Sequence, residues 1–351
     1  MNSVLTRLRG SMRWETALVV VLVAELAIFG AMNPRFLDPD RLLFAMSDFV
    51  YLGIVALPLA VVMMTGGIDI SFGSVASLAA IVTGVTFQAG VGIWTAALVG
   101  MIAAAIAGLV NGAAILITGA QPMVITLGSQ FLFAGLALGA SGLGGVSSFE
   151  GISGLPESFL ALGGGRTLGL PNMLVVFAVL AAVFAVLLSR TAFGRQARLI
   201  GANPRAATYA GFRSERVILL TYLLTALAAG LVGLLLTSYV GSARSDIGAG
   251  LLMPVLTLVV IGGVSMYGGE GSIGGVVIAT FVIGFLQQGL RFMGLSENQV
   301  AVATGAALVI VASLRWWTGH WSESWRNRRA RRRAGATAPR LHKEEVPAPT
   351  P

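Results

Sequence analysis

RTAFGRQARLIGANPRAATYAGFRSER, residues Arg190 to Arg216, is the stretch around which the rest of the chain is ordered. The segments on either side are apolar enough to sit in lipid, and this one is not. It carries six arginines (Arg190, Arg195, Arg198, Arg205, Arg213 and Arg216) against a single acid, Glu215. Loops rich in Lys and Arg stay on the cytoplasmic side of a membrane. Asn203-Pro204 supplies an N-cap followed by proline at the first helical position, so Arg205 to Ala210 is expected to be a short helix. A helix held outside the bilayer between two spans is built to touch something soluble.

Composition places the whole chain in lipid. Of 351 residues, 56% are hydrophobic and 11% charged, and mean hydropathy is +0.85. A soluble globular chain has roughly 25% charged residues. The 46 glycines suit close helix packing and local helix breaks. There is no cysteine, which excludes disulfides and thiolate metal sites. One lysine, Lys343, is present in the entire chain. A phosphate-binding loop of the G-x-x-x-x-G-K-[ST] kind needs a lysine after its glycines, so any ATP that drives this protein is hydrolysed by another polypeptide.

Ten apolar stretches can be read as spans: Ala17–Met32, Phe49–Met64, Ile70–Gln88, Ile93–Thr118, Pro122–Ala140, Asn172–Ser189, Val217–Tyr239, Leu251–Val264, Ile273–Gln288 and Gln299–Leu314. The expected fold is all-α and polytopic. Several runs are short against the roughly 20 residues that cross a bilayer, and Leu251–Val264 reads as a broken or re-entrant helix. Ten spans put both termini and the Arg190–Arg216 loop on one side, with 18 of the 23 Lys and Arg residues. The other side keeps Arg35, Arg41, Arg166, Arg244 and Arg291. That asymmetry predicts a cytoplasmic N-terminal tail (residues 1–14), a transmembrane domain (15–316) and a basic, disordered cytoplasmic tail (317–351). Outer loops at 33–48 and 141–171 either receive a soluble delivery protein or are plain connectors, the second with a short surface helix at Pro156–Leu162. The net charge of +8 flanks the spans and clusters at Arg326–Arg333, which suits anionic lipid rather than nucleic acid.

Two glycine breaks share an outline of apolar run, paired glycines, acid, Gly-Ser and apolar run. One comprises Gly66, Gly67, Asp69, Ser71 and Gly73; the other comprises Gly262, Gly263, Glu270 and Gly271. They form a weak internal repeat aligned Gly66 to Gly262. Such breaks serve as hinges for alternating access or as tight turns in which Asp69 or Ser71 caps the next helix. Asn111, Thr126, Gln130, Gln287 and Gln288 are candidates for a solute path, and each is equally readable as a bridge between helices. Glu25, inside the first span, is read as a bundle-facing carboxyl hydrogen-bonded to a neighbour, or as a substrate or proton site. Both histidines, His320 and His342, lie in the tail. No catalytic constellation or metal cluster is legible, so the chain is not read as an enzyme.

TGGIDISFGS (Thr65–Ser74), VITLGS (Val124–Ser129), GANPRAATYAG (Gly201–Gly211) and GGVSMYGGEGSIGG (Gly262–Gly275) together resemble the membrane subunits of bacterial ATP-binding cassette sugar importers of the ribose type. The similarity covers roughly residues 15–315. SDFVYLGIVALPL (Ser47–Leu59), GSARSDIGAG (Gly241–Gly250) and GFLQQGL (Gly284–Leu290) are most similar to members that import autoinducer-2, with rhamnose and ribose permeases sharing much of this. The resemblance implies an inner-membrane permease for a small polyhydroxylated solute. Its implied partners are a second, related permease, a cytoplasmic ATPase and a periplasmic binding protein; ATP is the partner's, and no cofactor is bound here. Gly201–Gly211 becomes the ATPase-coupling segment through Arg198, Gly201, Asn203, Arg205, Ala206, Ala207 and Gly211. The family's loop often carries an acid before the paired alanines, where this chain has Arg205. The competing class is a self-sufficient secondary transporter or channel, for which Glu25 and Asp69 would be the ion sites.

Overall fold

The computed structural model describes residues 2–143, 151–307, 309–310 and 313, with side chains from Trp14 onward. Residues up to Gly305 form one compact unit. The basic tail, residues 144–150 of the second outer loop and the end of the tenth apolar stretch lie outside the described residues.

The chain is nearly all helical: α1 (Asn2–Met32), α2 (Pro39–Met46), α3 (Val50–Met64), α4 (Phe72–Gln88), α5 (Ile93–Thr118), α6 (Pro122–Leu143), α7 (Glu157–Gly164), α8 (Asn172–Arg190), α9 (Ala192–Ala202), α10 (Pro204–Tyr209), α11 (Ser214–Val240), α12 (Leu252–Ile261) and α13 (Ile273–Phe292). Residues 297–307 are helical as well. The one departure from helix among named elements is a two-residue hairpin, Arg166–Thr167 with Leu170–Pro171.

Burial is arranged as lipid demands. Helix α3 is apolar on every side and is the buried axis, enclosed by α8, α11, α12 and α13. Helix α5 turns its small residues inward: Ala96, Gly100, Ala104, Ala107, Gly108 and Gly112 are buried. Its large ones point out, with Leu98, Ile102, Ile106 and Ile117 exposed. A protein folding in water would reverse that assignment. In lipid, bulk outside costs nothing, and small residues let backbones approach. A Cβ added at Gly108 would come within 2.6 Å of Ala226 on α11, which measures how close that approach is.

Among the described residues, six helices are long and apolar enough to cross a membrane: Trp14–Met32 of α1, α5, α6 up to Gly142, α8, α11 and α13. The bent pair α2 and α3, at 47°, makes a seventh if it counts as one span. The stretches beginning at Ile70 and Leu251 abut the glycine breaks, so their helices are short, α4 with 17 residues and α12 with 10. The tenth stretch is described only in part. Helix α7 is the short helix expected in the second outer loop: Glu157, Ser158 and Ala161 are exposed. It is anchored on one face, where Phe159 is fully buried and Ser238 Oγ of α11 accepts from Gly163 N (2.7 Å) and donates to Phe159 O (2.6 Å).

Candidate functional site

Both glycine breaks begin with the same helix-ending turn. After α3, Gly66 takes φ +85°, Gly67 N–H donates to Val62 O (3.1 Å) and Gly66 N–H to Met63 O (2.9 Å). After α12, Gly263 takes φ +89°, Val264 N–H donates to Val259 O (3.2 Å) and Gly263 N–H to Val260 O (3.0 Å). Each is a Schellman cap, which needs a left-handed residue at the position where both breaks supply glycine. The repeat is therefore real in conformation but is registered Gly66 to Gly263, one residue later than the glycine pairs suggest.

The two breaks meet each other and the arginine-rich loop. Gly269 N–H donates to Met64 O (2.8 Å), joining the second break to the end of α3. Gly201, in the last turn of α9, lies against this bond. A Cβ there would overlap the Met64 carbonyl oxygen and stand 2.5 Å from Gly269 N. Gly268 in turn lies against the Gly201 backbone and Gly66 Cα. The middle of α1 is tied in too: Trp14 Nε1 donates to Ile261 O (2.8 Å), and Ser272 Oγ donates to Glu15 Oε1. Three segments far apart in sequence thus share one backbone-to-backbone junction.

Beyond Gly201 the chain forms α10 as expected. Asn203 accepts from Ala206 N–H (3.0 Å) as its N-cap, and Gly211 closes its far end with φ +73°. The paired alanines do not share a face. Ala207 is fully buried within this chain and Ala206 partly so, whereas Arg205 and Tyr209 are exposed, Tyr209 by 90%. The exposed side of α10 thus carries Arg205, Thr208 and Tyr209 rather than both alanines. Arg198 is half-buried, and burial lowers its pKa from the usual arginine range.

The first break leads into a polar nest. Asp69 Oδ1 accepts from Ser71 N–H (2.8 Å) and Ser71 Oγ–H (2.7 Å), and Asn111 Nδ2 donates to Ser71 Oγ (2.7 Å). Asp69 thus closes a turn onto Ser71, which occupies the N-cap position of α4 without a capping side-chain bond, so neither side chain caps the first turn of α4 as expected. Thr126 Oγ1 donates to Ile68 O (3.1 Å). The Tyr222 hydroxyl lies beside Gly67, where an added Cβ would be 2.6 Å from it. Among the described residues, Asn111 Oδ1 and Tyr222 Oη are buried without a hydrogen-bond partner. Tyr222 is the member that sequence reading missed; its only signal is a tyrosine in the apolar run of α11.

The five path candidates are not brought to one place. Asn111 and Thr126 join the Asp69 nest. Gln130 has a buried, unpartnered Oε1 on α6. Gln287 makes a long bond to Thr304 Oγ1 (3.4 Å), and Gln288 lines a cleft of about 560 Å³ with Asp48, Tyr51, Tyr239, Arg291 and Glu297. Glu25 Oε2 is buried without a hydrogen-bond partner. Removing the short bond should matter more than removing the long one, because a 3.4 Å contact is near the limit of useful geometry. Asn111→Ala is expected to cost about 1–3 kcal/mol and Gln287→Ala well under half of that, read as the fall in Tm of the purified protein in detergent.

The family described as "Branched-chain amino acid transport system / permease component" matches residues 41–312. The chain belongs to this permease family. The permease is 46% identical over 300 residues to the "Autoinducer 2 import system permease protein LsrD" of Klebsiella pneumoniae subsp. pneumoniae, covering 86% of this chain and 90% of that one. It is 47% identical over 298 residues to the proteins of the same name from Escherichia coli K12 and Shigella flexneri, covering 85% and 90%. No solved structure matches it. The permease is a multi-pass membrane transport protein and not an enzyme. All the breaks and the α9–α10 segment fall inside the matched region.

Proposed function

We propose that this permease is the membrane-spanning subunit of an ATP-binding cassette importer that carries autoinducer-2 across the bacterial inner membrane. Its 46–47% identity to autoinducer-2 import permeases over about 85% of the chain carries this reading. In it, the chain crosses the bilayer ten times with both termini cytoplasmic, as the 18-of-23 distribution of Lys and Arg supports. A cytoplasmic ATPase grips Gly201–Gly211 within the 190–216 loop and uses ATP; a periplasmic binding protein delivers the solute to the outer loops; a second, related permease completes the pore. Residues 317–351 form a basic tail against anionic lipid.

The mechanism follows from the junction. Because Gly201 touches both Met64 and Gly269, a displacement of α9–α10 bears directly on the ends of α3 and of the segment leading into α13. Packed backbones have discrete arrangements rather than graded ones, so a push at the loop switches the helices between outward and inward openings. The Asp69 nest holds the first break in one of these arrangements.

Reconstitution in proteoliposomes with the second permease, the ATPase and the binding protein tests the reading. ATP-dependent uptake of autoinducer-2, lost when the ATPase is omitted, is expected. Uptake without the ATPase would make the chain a secondary transporter, and preference for ribose or rhamnose would overturn the substrate.

A further inference from the structure

The cleft around Gln288 has no role in the junction, yet its chemistry is specific. Its volume of about 560 Å³ lies in the range of small-molecule sites, roughly 300–1,000 Å³. Its charged groups are Asp48, Glu297 and Arg291, two carboxylates to one guanidinium, and each is held by a neighbour. Tyr239 Oη donates to Asp48 Oδ1 (2.7 Å), and Arg291 Nε and Nη2 donate to Glu297 Oε1 and Oε2 (2.8 and 3.1 Å). A carboxylate has about four lone-pair sites, so both acids keep acceptors to spare. The Gln288 amide both donates and accepts, and the Tyr51 ring gives one flat apolar surface. The surplus carboxylate turns an anion away, and its spare lone pairs accept from hydroxyl groups. An uncharged molecule carrying several hydroxyls would find donors, acceptors and a face for its C–H groups.

Position adds a second argument. Tyr51 is in the first turn of α3, Tyr239 in the last turn of α11, and Gln288 and Arg291 close to the end of α13. The opposite ends of α3 and α13 lead into the glycine junction, and α11 begins three residues after Gly211. At 1.5 Å per residue, the 20-residue α13 separates cleft from junction by about 30 Å. A molecule held in the cleft therefore touches the far ends of the helices whose near ends the coupling segment contacts.

We propose that this cleft is a low-affinity binding site for the uncharged, polyhydroxylated solute at the mouth of the permease remote from the ATPase. The proposal rests on the importer reading above and adds a place for the solute to it.

The chain has no cysteine, so single reporters can be read without background. Val240→Cys, which lines the cleft and leaves its polar groups intact, is the first reporter; Gln288→Cys is the second, should the first fail to assemble. Leu168→Cys, exposed on the hairpin and not lining the cleft, is the control. Labelling by a small neutral maleimide is followed in the assembly of both permeases and the ATPase, with autoinducer-2 and D-ribose as probes. At five times Kd, solute should slow labelling at the cleft by about sixfold, as 1 + [L]/Kd requires, without binding protein, and leave the control unchanged. No slowing at concentrations that saturate uptake overturns the proposal. Uptake of neither probe by the unmodified importer sinks the transport reading itself, which distinguishes that failure from failure of the cleft.

Discussion

Gly201→Ala is expected to cut ATP-driven uptake by about a hundredfold while leaving the permease in the membrane. The added methyl has nowhere to go. It would overlap the Met64 carbonyl oxygen and press on Gly269 N, the two partners of the bond that joins the breaks (2.8 Å). Both obstacles are backbone, so no side chain can swing away. Overpacking costs about 1–3 kcal/mol, and a buried amide left without its acceptor adds about 1–3 kcal/mol. A combined loss near 3 kcal/mol corresponds to roughly two decades in an equilibrium constant. The loss falls on the contact that transmits movement, and the long apolar helices that insert the chain are untouched. The measurement is initial uptake rate in proteoliposomes, normalised to reconstituted protein. Gly211→Ala is the matched comparison. A Cβ there meets nothing within 4 Å, and the cost is confined to φ +73°, about 1 kcal/mol. Its uptake should fall by less than tenfold; equal losses would mean that the junction contact is irrelevant.

Gly248→Ala should instead prevent assembly. The segment Gly241–Gly250 lies against the first turns of α4, where Gly248 N–H donates to Ser77 Oγ (3.0 Å). A methyl at Gly248 would overlap the Gly73 carbonyl oxygen, and one at Gly73 would stand 2.5 Å from Gly248 O. The segment cannot simply lift off. Ala243 exchanges two backbone hydrogen bonds of 2.9 Å with Ile152, and the exposed Arg244–Asp246 pair braces its turn and holds the Asp246 carboxyl below the usual range. Displacement would break bonds to α4, so the loss should be global, about 3 kcal/mol or more. The expected outcome is a sharply reduced yield of monodisperse protein from detergent and a lower Tm in what survives. Wild-type yield and Tm would show that this close approach carries no stability.

These two glycines mark the boundary of what the residue string discloses. Hydropathy located the helices well: the apolar runs starting at Ile93, Pro122, Asn172 and Ile273 begin on the same residues as α5, α6, α8 and α13. The Asn203-Pro204 cap is also a local signal, and α10 starts where it says. Both breaks were visible because paired glycines interrupt apolar runs. That Gly201 lies between them was not visible, because a backbone-to-backbone approach leaves no side-chain pattern to read. The inward turn of Ala207 and the outward Tyr209 depend on how α10 docks, which is a tertiary matter. The cleft was hidden for the same reason. Asp48, Tyr239 and Arg291 are separated by long apolar helices, and each alone reads as an ordinary residue near a helix end. The polar residues within spans were ambiguous by nature, since hydrogen bonding between helices and lining a path use the same side chains. Asn111 and Thr126 converged on Asp69; the glutamines dispersed.

The claim on which the account rests is that the Arg190–Arg216 loop faces the cytoplasm and is gripped there by the ATPase. In this naturally cysteine-free chain, the direct measurement is labelling of Arg205→Cys by a membrane-impermeant maleimide, applied in turn to spheroplasts and to inside-out vesicles. The account predicts no labelling in spheroplasts, ready labelling in inside-out vesicles stripped of ATPase, and protection when the ATPase is added back. Labelling from the outer face, or labelling on the inner face that the ATPase leaves unchanged, would contradict it.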